Sequence, residues 1–253
     1  MSKPKISRQE TDWLLSEKHS GKQTAAFFAD LARLEAGEPL DYIIGFSRFY
    51  NCKIDLRYRP LIPRPETEFW AERLVKDEIL TQTRPQKVLD IFSGSGCVGV
   101  AVLKNSNNSL VHFAEINPSF VKQIKFNLKL NKIPDRKFKV IKSNIFSGLK
   151  EKYDLILANP PYLDPGRKTK VQPSVLGYEP EEALFAADKG LGVIKKFLKQ
   201  APKHLLPQGT ICLEFDSWQK SAIKRLLEQE ALRPVFYRDQ FNRWRYVKIV
   251  NNL

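Results

Sequence analysis

Apolar positions fall into two periods along this chain. In the first 36 residues they recur at helical spacing, with Trp13, Leu14 and Leu15, then Ala25, Phe28, Ala29, Ala32 and Leu34, on either side of Ser20-Gly21. This predicts two helices, closed by Gly37 and Pro39. Over 40–58 the pattern becomes β-like. Tyr42, Ile43, Ile44, Phe46, Phe49 and Tyr50 precede Asn51-Cys52, and Ile54, Leu56 and Tyr58 alternate after it, as in a hairpin. Pro65 suits a first helical position, with Glu66 and Glu68 at the positive end of a helix that runs through Trp70, Leu74 and Ile79.

Beyond residue 86, short apolar runs alternate with amphipathic stretches. Strands are predicted at 87–91, 110–114, 138–142, 154–158, 210–215, 235–238 and 245–250, and helices at 97–104, 118–130, 191–201 and 218–228. Such alternation means an α/β fold: a Rossmann-like, seven-stranded, mostly parallel sheet, its last two strands forming an antiparallel edge hairpin. Three parts follow: a small helical cap at 1–38, a β-hairpin linker at 39–60 and the main domain at 61–253.

Composition narrows the class. The 253 residues suffice for one large domain with an appendage, and 42% hydrophobic with 28% charged residues is the balance of a soluble globular protein. No apolar run approaches the ~20 residues of a membrane span. Cys52, Cys97 and Cys212 lie far apart, as do His19, His112 and His204, so neither a metal site nor a hydrolase triad is expected; the thiols read as buried and reduced. A net charge of +14 favours nucleic acid, a ribosome-associated partner or an acidic protein as neighbour, with plain solubility as the alternative. The basic start, 1–9, lacks the apolar core of a signal peptide and is a poor transit peptide.

Two stretches carry candidate chemistry. Asn159-Pro160-Pro161-Tyr162 follows the run 153–158, which places it at the carboxyl end of a buried strand, where open α/β sheets hold ligands. Two prolines fix two φ angles and remove two donors, leaving a stiff turn with outward carbonyls, one carboxamide and one aromatic ring. That set suits gripping a planar NH2 group; an ordinary proline-ended turn is the plainer reading. The second stretch, Asp90-Ile91-Phe92-Ser93-Gly94-Ser95-Gly96 with Gly99, spells G-x-G-x-x-G between strand and helix, and Glu115 ends the next strand. The glycines fit a dinucleotide enzyme, an S-adenosylmethionine enzyme or a tight turn without ligand. If the first and fourth strands are neighbours, the two stretches face one crevice. An NH2 clamp there serves methyl transfer to nitrogen and has no use in hydride transfer. In that chemistry Asn159 Oδ1 and the Pro160 carbonyl each accept one substrate N–H, and Tyr162 stacks on the planar group.

With those residues in view, the chain from about 39 to 215 resembles the HemK/PrmC family of protein-(glutamine-N5) methyltransferases, which modify the Gly-Gly-Gln motif of peptide-chain release factors. Residues 39–45 with Phe49-Tyr50 resemble the family's linker. Leu61-Ile62-Pro63-Arg64-Pro65-Glu66-Thr67-Glu68 is close to its most distinctive stretch, and the glycine loop, Glu115 and the tetrad match in order. Glu179-Pro180 followed by Ala183-Leu184-Phe185 and Gly190-Leu191 resembles the segment after the tetrad. The resemblance implies a class I S-adenosylmethionine-dependent fold. Asp90, Phe92, Ser93, Gly94, Ser95, Gly96, Glu115, Asn144, Ile145 and Asn159 would bind S-adenosyl-L-methionine, and Asn159, Pro160, Pro161 and Tyr162 would hold the glutamine amide. It implies a release factor as partner, near the ribosome.

Departures are visible too. The family usually has glycine or a small residue at Phe92, aspartate at Asn144 and often aspartate at Glu115, and its bacterial amino-terminal helical domain is longer than the segment before Pro39. Together with the basic charge these point to a eukaryotic, mitochondrial member, with the cytoplasm as the alternative. The loop 164–178, carrying Arg167, Lys168 and Lys170, reads as a mobile flap or a solvated basic loop. Two other functions remain open: a DNA or rRNA amino-methyltransferase using the same tetrad, and a catalytically silent module retaining the cofactor fold.

Overall fold

The computed structural model describes residues 6–84, 86–229 and 232–250, so the first five residues of the basic start 1–9 lie outside it. Helices α1 (Arg8–His19) and α2 (Ala25–Glu35) open the chain. Ser7 and Glu10 make a reciprocal cap on α1, the Ser7 hydroxyl accepting the Glu10 N–H and the Glu10 carboxylate accepting the Ser7 N–H. The hairpin does not begin at 40, as the apolar run suggested. Leu40–Ile44 is a short helix, α3, ended by Gly45 at φ 94°, whose N–H returns to the Asp41 carbonyl at 2.8 Å. A five-residue stretch has too few turns to distinguish strand from helix. Ile43 decides the matter by packing with Leu14, Phe27 and Leu34, so the cap's core extends past residue 38.

The hairpin is β1 (Phe46–Phe49) with β2 (Cys52–Asp55). Helix α4 (Pro65–Leu74) starts at Pro65 and runs into a π-helical turn, Val75–Ile79. The sheet then builds as β3 (Gln86–Ile91), α5 (Cys97–Asn105), β4 (Ser109–Glu115), α6 (Pro118–Leu130), β5 (Phe138–Lys142) and β6 (Tyr153–Ala158). After β6 come α7 (Pro173–Tyr178), α8 (Glu181–Leu184), α9 (Gly192–Gln200), β7 (Leu205–Glu214), α10 (Lys220–Gln229), β8 (Arg233–Arg238) and β9 (Trp244–Val250). Within the expected loop 164–178, a 3-10 turn over Pro165–Lys170 precedes α7, and Pro165 and Pro173 each start their element.

Seven strands form one sheet in the order β5-β4-β3-β6-β7-β9-β8, with β9 antiparallel to both neighbours. The expected edge hairpin is present. The chain reverses its winding between β3 and β6, which pair in parallel from Val88↔Leu155 to Ile91↔Ala158. Loops leaving those two strands consequently open on the same crevice. Side chains alternate across the sheet: Val88 packs with Trp70, Val100, Phe113 and Ile124 on one face, while Leu89 and Ile91 pack with Ile194, Phe197 and Ile223 on the other. All three thiols are free and buried, as expected. Among the described residues no helix is long and apolar enough to cross a membrane.

Three carboxamides on one face of α6 tie down the hairpin. Asn131 and Asn127 each bond a backbone N–H and C=O of β2, at Lys53 and Asp55 respectively, and Gln123 bonds the Tyr58 N–H and the Asp55 carbonyl. These positions are four residues apart, one above the next on the helix. Asn127 Nδ2 also reaches the Ser95 carbonyl at 2.9 Å, in the glycine loop.

Candidate active site

Two cavities meet at the carboxyl ends of β3, β4 and β6. The first, about 330 Å³, is lined by the loop 90–95, Glu115, Asn144, Ile145, Asn159 and Pro161, and by Pro63, Arg64 and Thr67. The second, about 440 Å³, is lined by Asn159, Pro160 and Tyr162, with Glu66, Lys170, Glu214 and Arg245. The tetrad thus straddles both. Pro161 faces one cavity, Pro160 and Tyr162 face the other, and Asn159 belongs to each.

The glycine loop turns on three left-handed residues, Phe92 at φ 60°, Gly94 at 52° and Gly96 at 77°. A non-glycine residue at this φ is strained. Phe92 is held there with its ring edge-on to Phe197, centroids 5.9 Å apart. That is how the loop accommodates a bulky side chain where the resembled family has a small one. Gly96 does not line the first cavity; it is the residue before α5 and shapes the turn. Gly99 serves packing, since a Cβ there would lie 2.3 Å from the Phe113 ring. Asp90 is buried and accepts the Gly99 N–H at 2.9 Å, fastening β3 to α5. Burial pushes its pKa up to about 8.

Glu115 bridges two loops. One oxygen accepts the Gly94 N–H and the other the Asn117 N–H, each at 2.8 Å. Burial raises its pKa against these bonds. Each carboxylate oxygen keeps a lone pair for a further donor. Asn144 is exposed, and its N–H goes to the Ser147 hydroxyl.

The stretch 63–68, ambiguous as sequence, has both roles. Pro65 starts α4, while Pro63, Arg64 and Thr67 wall the first cavity and Glu66 the second. Glu68 instead accepts the Tyr50 N–H at 2.7 Å and secures the hairpin turn. Glu214, at the end of β7, is the group that the sequence did not disclose. Fully buried, it accepts hydrogen bonds from Thr67, Trp70 and Tyr162. Burial raises its pKa, opposed by those donors and by Arg245. Tyr162 spends its hydroxyl on Glu214, so its ring is what it offers to the second cavity.

These residues suit S-adenosylmethionine. Glu115 has spare acceptor capacity for ribose hydroxyls, Ile116, Phe120 and Ile145 give an apolar wall for a flat base, and Asn159 stands at the passage to the second cavity. Among the described residues no group of three or more His, Cys, Asp or Glu side chains is placed to hold a metal ion.

The fold and this pair of cavities place the protein among the class I S-adenosylmethionine-dependent methyltransferases. Residues 67–176 match the family model described as "Methyltransferase small domain". A release factor glutamine methyltransferase of Thermodesulfovibrio yellowstonii is 37% identical over 190 residues, covering 75% of this chain and 67% of the relative. One from Streptococcus pneumoniae is 32% identical over 246 residues, covering 94% and 85%. The chain belongs to the release factor glutamine methyltransferase family. Solved structures agree on the fold. A methyltransferase from Pyrococcus furiosus superposes with a TM-score of 0.59 at 17% identity, over 88% of this chain and 98% of that one. The N-terminal domain of human METTL16 in complex with SAH gives 0.58 at 17%, over 81% and 77%.

Proposed function

We propose that this protein transfers a methyl group from S-adenosylmethionine to the side-chain nitrogen (N5) of the glutamine in the Gly-Gly-Gln motif of a peptide-chain release factor. The observation that carries this is Asn159 at the junction of the two cavities, one fit for the cofactor and one open to a protein side chain. When bound, the cofactor supplies a methyl group on a positively charged sulfur.

Asn159 Oδ1 and the Pro160 carbonyl each accept one N–H of the glutamine amide. An amide nitrogen is a poor nucleophile because its lone pair is delocalised. Holding both N–H groups aims that lone pair towards the first cavity and stabilises the positive charge that grows on nitrogen. Well-oriented reactants contribute up to roughly 7–11 kcal/mol, so orientation replaces a strong base. The Tyr162 ring walls the amide plane. The proton leaves the methylated nitrogen for solvent through the second cavity. Glu115 holds the ribose, and Asn144 and Ile145 flank the adenine.

The test is a transfer assay with methyl-labelled S-adenosylmethionine, offering in parallel the release factor, its Gln→Ala variant, duplex DNA and ribosomal RNA. Label is expected on the intact factor alone, and Asn159→Ala is expected to abolish turnover with cofactor binding largely kept. Label on nucleic acid alone would reassign the site, and no cofactor binding in calorimetry would make the protein a silent module. The compartment proposed with this function is the mitochondrion, supported by the charge of +14 and checked by localising a tagged chain.

A further inference from the structure

The Asn159 carboxamide has two ends of nearly equal shape and opposite chemistry, and only its oxygen can accept a substrate N–H. Something must decide which end faces the substrate. Three donors converge on Glu214: Thr67 Oγ1 at 2.7 Å and Trp70 Nε1 at 2.6 Å on Oε2, and the Tyr162 hydroxyl at 2.8 Å on Oε1. A carboxylate only accepts, and a proton on Oε2, which already takes two donors, would displace one of them. Thr67 therefore spends its single proton on Glu214. Its oxygen is left able only to accept, and Asn159 meets it with the NH2 end, Nδ2 donating at 3.3 Å. Among the described residues no group donates to Asn159 Oδ1, and Asn159 lines both cavities.

We propose that Thr67, anchored on the buried Glu214, is a positioning residue that locks the Asn159 amide with Oδ1 towards the substrate, and thereby makes the site select an N–H-bearing amide over a carboxylate. This rests on the function proposed above. Without the lock the amide can turn over. It then presents NH2 to a glutamine NH2, two donors facing each other, and presents a donor to a glutamate carboxylate, which the locked form rejects.

The test compares Thr67→Val, which keeps the shape and loses the hydroxyl, with Thr67→Ser, which keeps it. Each is measured with the release factor and with its Gln→Glu form. Thr67→Val is expected to lower kcat roughly 100-fold, the effect of a misplaced positioning group, while its affinity for S-adenosylmethionine changes by less than about threefold. Its binding preference for the Gln over the Glu factor should narrow by about 10-fold, as for one lost hydrogen-bond selection. Thr67→Ser should restore both quantities. A Val variant with wild-type kcat and an unchanged Gln-to-Glu preference overturns the inference, as does a Ser variant as impaired as Val. Wild-type protein that leaves the glutamine unmethylated overturns the proposed function and this inference with it, a result distinct from an active wild type with indifferent Thr67 variants.

Discussion

Arg64 and Glu179 lie 115 residues apart in the chain, yet their side chains meet at 2.6 Å. The Glu179 carboxylate also accepts the Ile62 N–H at 3.1 Å and is almost wholly buried. This joins the stretch before α4 to the segment after the tetrad, and Leu61 and Arg64 from the first, with Ala183 just beyond the second, line both cavities. Two motifs that look independent in sequence are two sides of one wall.

Glu179→Ala strands the buried Ile62 N–H and frees Arg64. A loss of about 1–3 kcal/mol is expected for the unsatisfied donor, a fall of roughly 2–4 °C in Tm per kcal/mol for a chain of this size. Thermal unfolding measures it; an unchanged Tm would show that the pair holds nothing.

Phe92 tests backbone strain separately from packing. Phe92→Ala and Phe92→Gly both lose the contact with Phe197, but only glycine adopts φ 60° without cost. The glycine variant should be the more stable of the two by about 1 kcal/mol in denaturant unfolding. Equal midpoints would mean that the loop relaxes once the ring is gone.

Gly99→Ala drives a methyl group into the Phe113 ring and towards Asp90, where no room exists. Overpacking of this kind costs about 1–3 kcal/mol and should shift α5 on β4. Calorimetry decides it, and a neutral result would require the helix to move freely.

Asp90 gives stability a pH dependence of definite sign. In the fold its pKa is about 8, against an ordinary 3.8, so folding favours the protonated form. Its contribution is complete below pH 3.8 and is lost as pH rises through about 8. Over that window the denaturant midpoint of the cofactor-free protein should fall relative to Asp90→Asn, which cannot titrate. Parallel profiles would remove Asp90 as the source.

The basic segment 165–170 is not uniform. Lys168 pairs with Glu181 at 2.7 Å and Arg167 lies over the Trp218 ring, whereas Lys170 lines the second cavity. Lys170→Ala should raise KM for the protein substrate several-fold, as loss of one charge contact does, and Lys168→Ala should leave it near wild type. Equal effects of both would favour a diffuse electrostatic role.

Prolines and glycines made much of the site readable. Pro160, Pro161, Gly94 and Gly96 announce backbone conformations that few other residues adopt, and the strand-then-turn context located them at the carboxyl ends of strands. Glu214 and its bond to Thr67 were not readable, because the bond spans 147 residues and a lone Glu near the end of an apolar run looks like any strand end. At 40–44 period alone could not separate helix from strand. At 164–178 the signal is present, since Pro165 and Pro173 sit at the starts of short helical turns, but the charges between them are equally those of a loop.

Asn127 gives the arrangement a mechanical meaning. Its carboxamide holds the β2 backbone at Asp55 and the Ser95 carbonyl of the glycine loop at the same time. The cap runs through α3 directly into that hairpin, so only the Asn127 side chain separates the β2 backbone from the glycine loop. The hairpin and the glycine loop are thereby fastened by one and the same side chain.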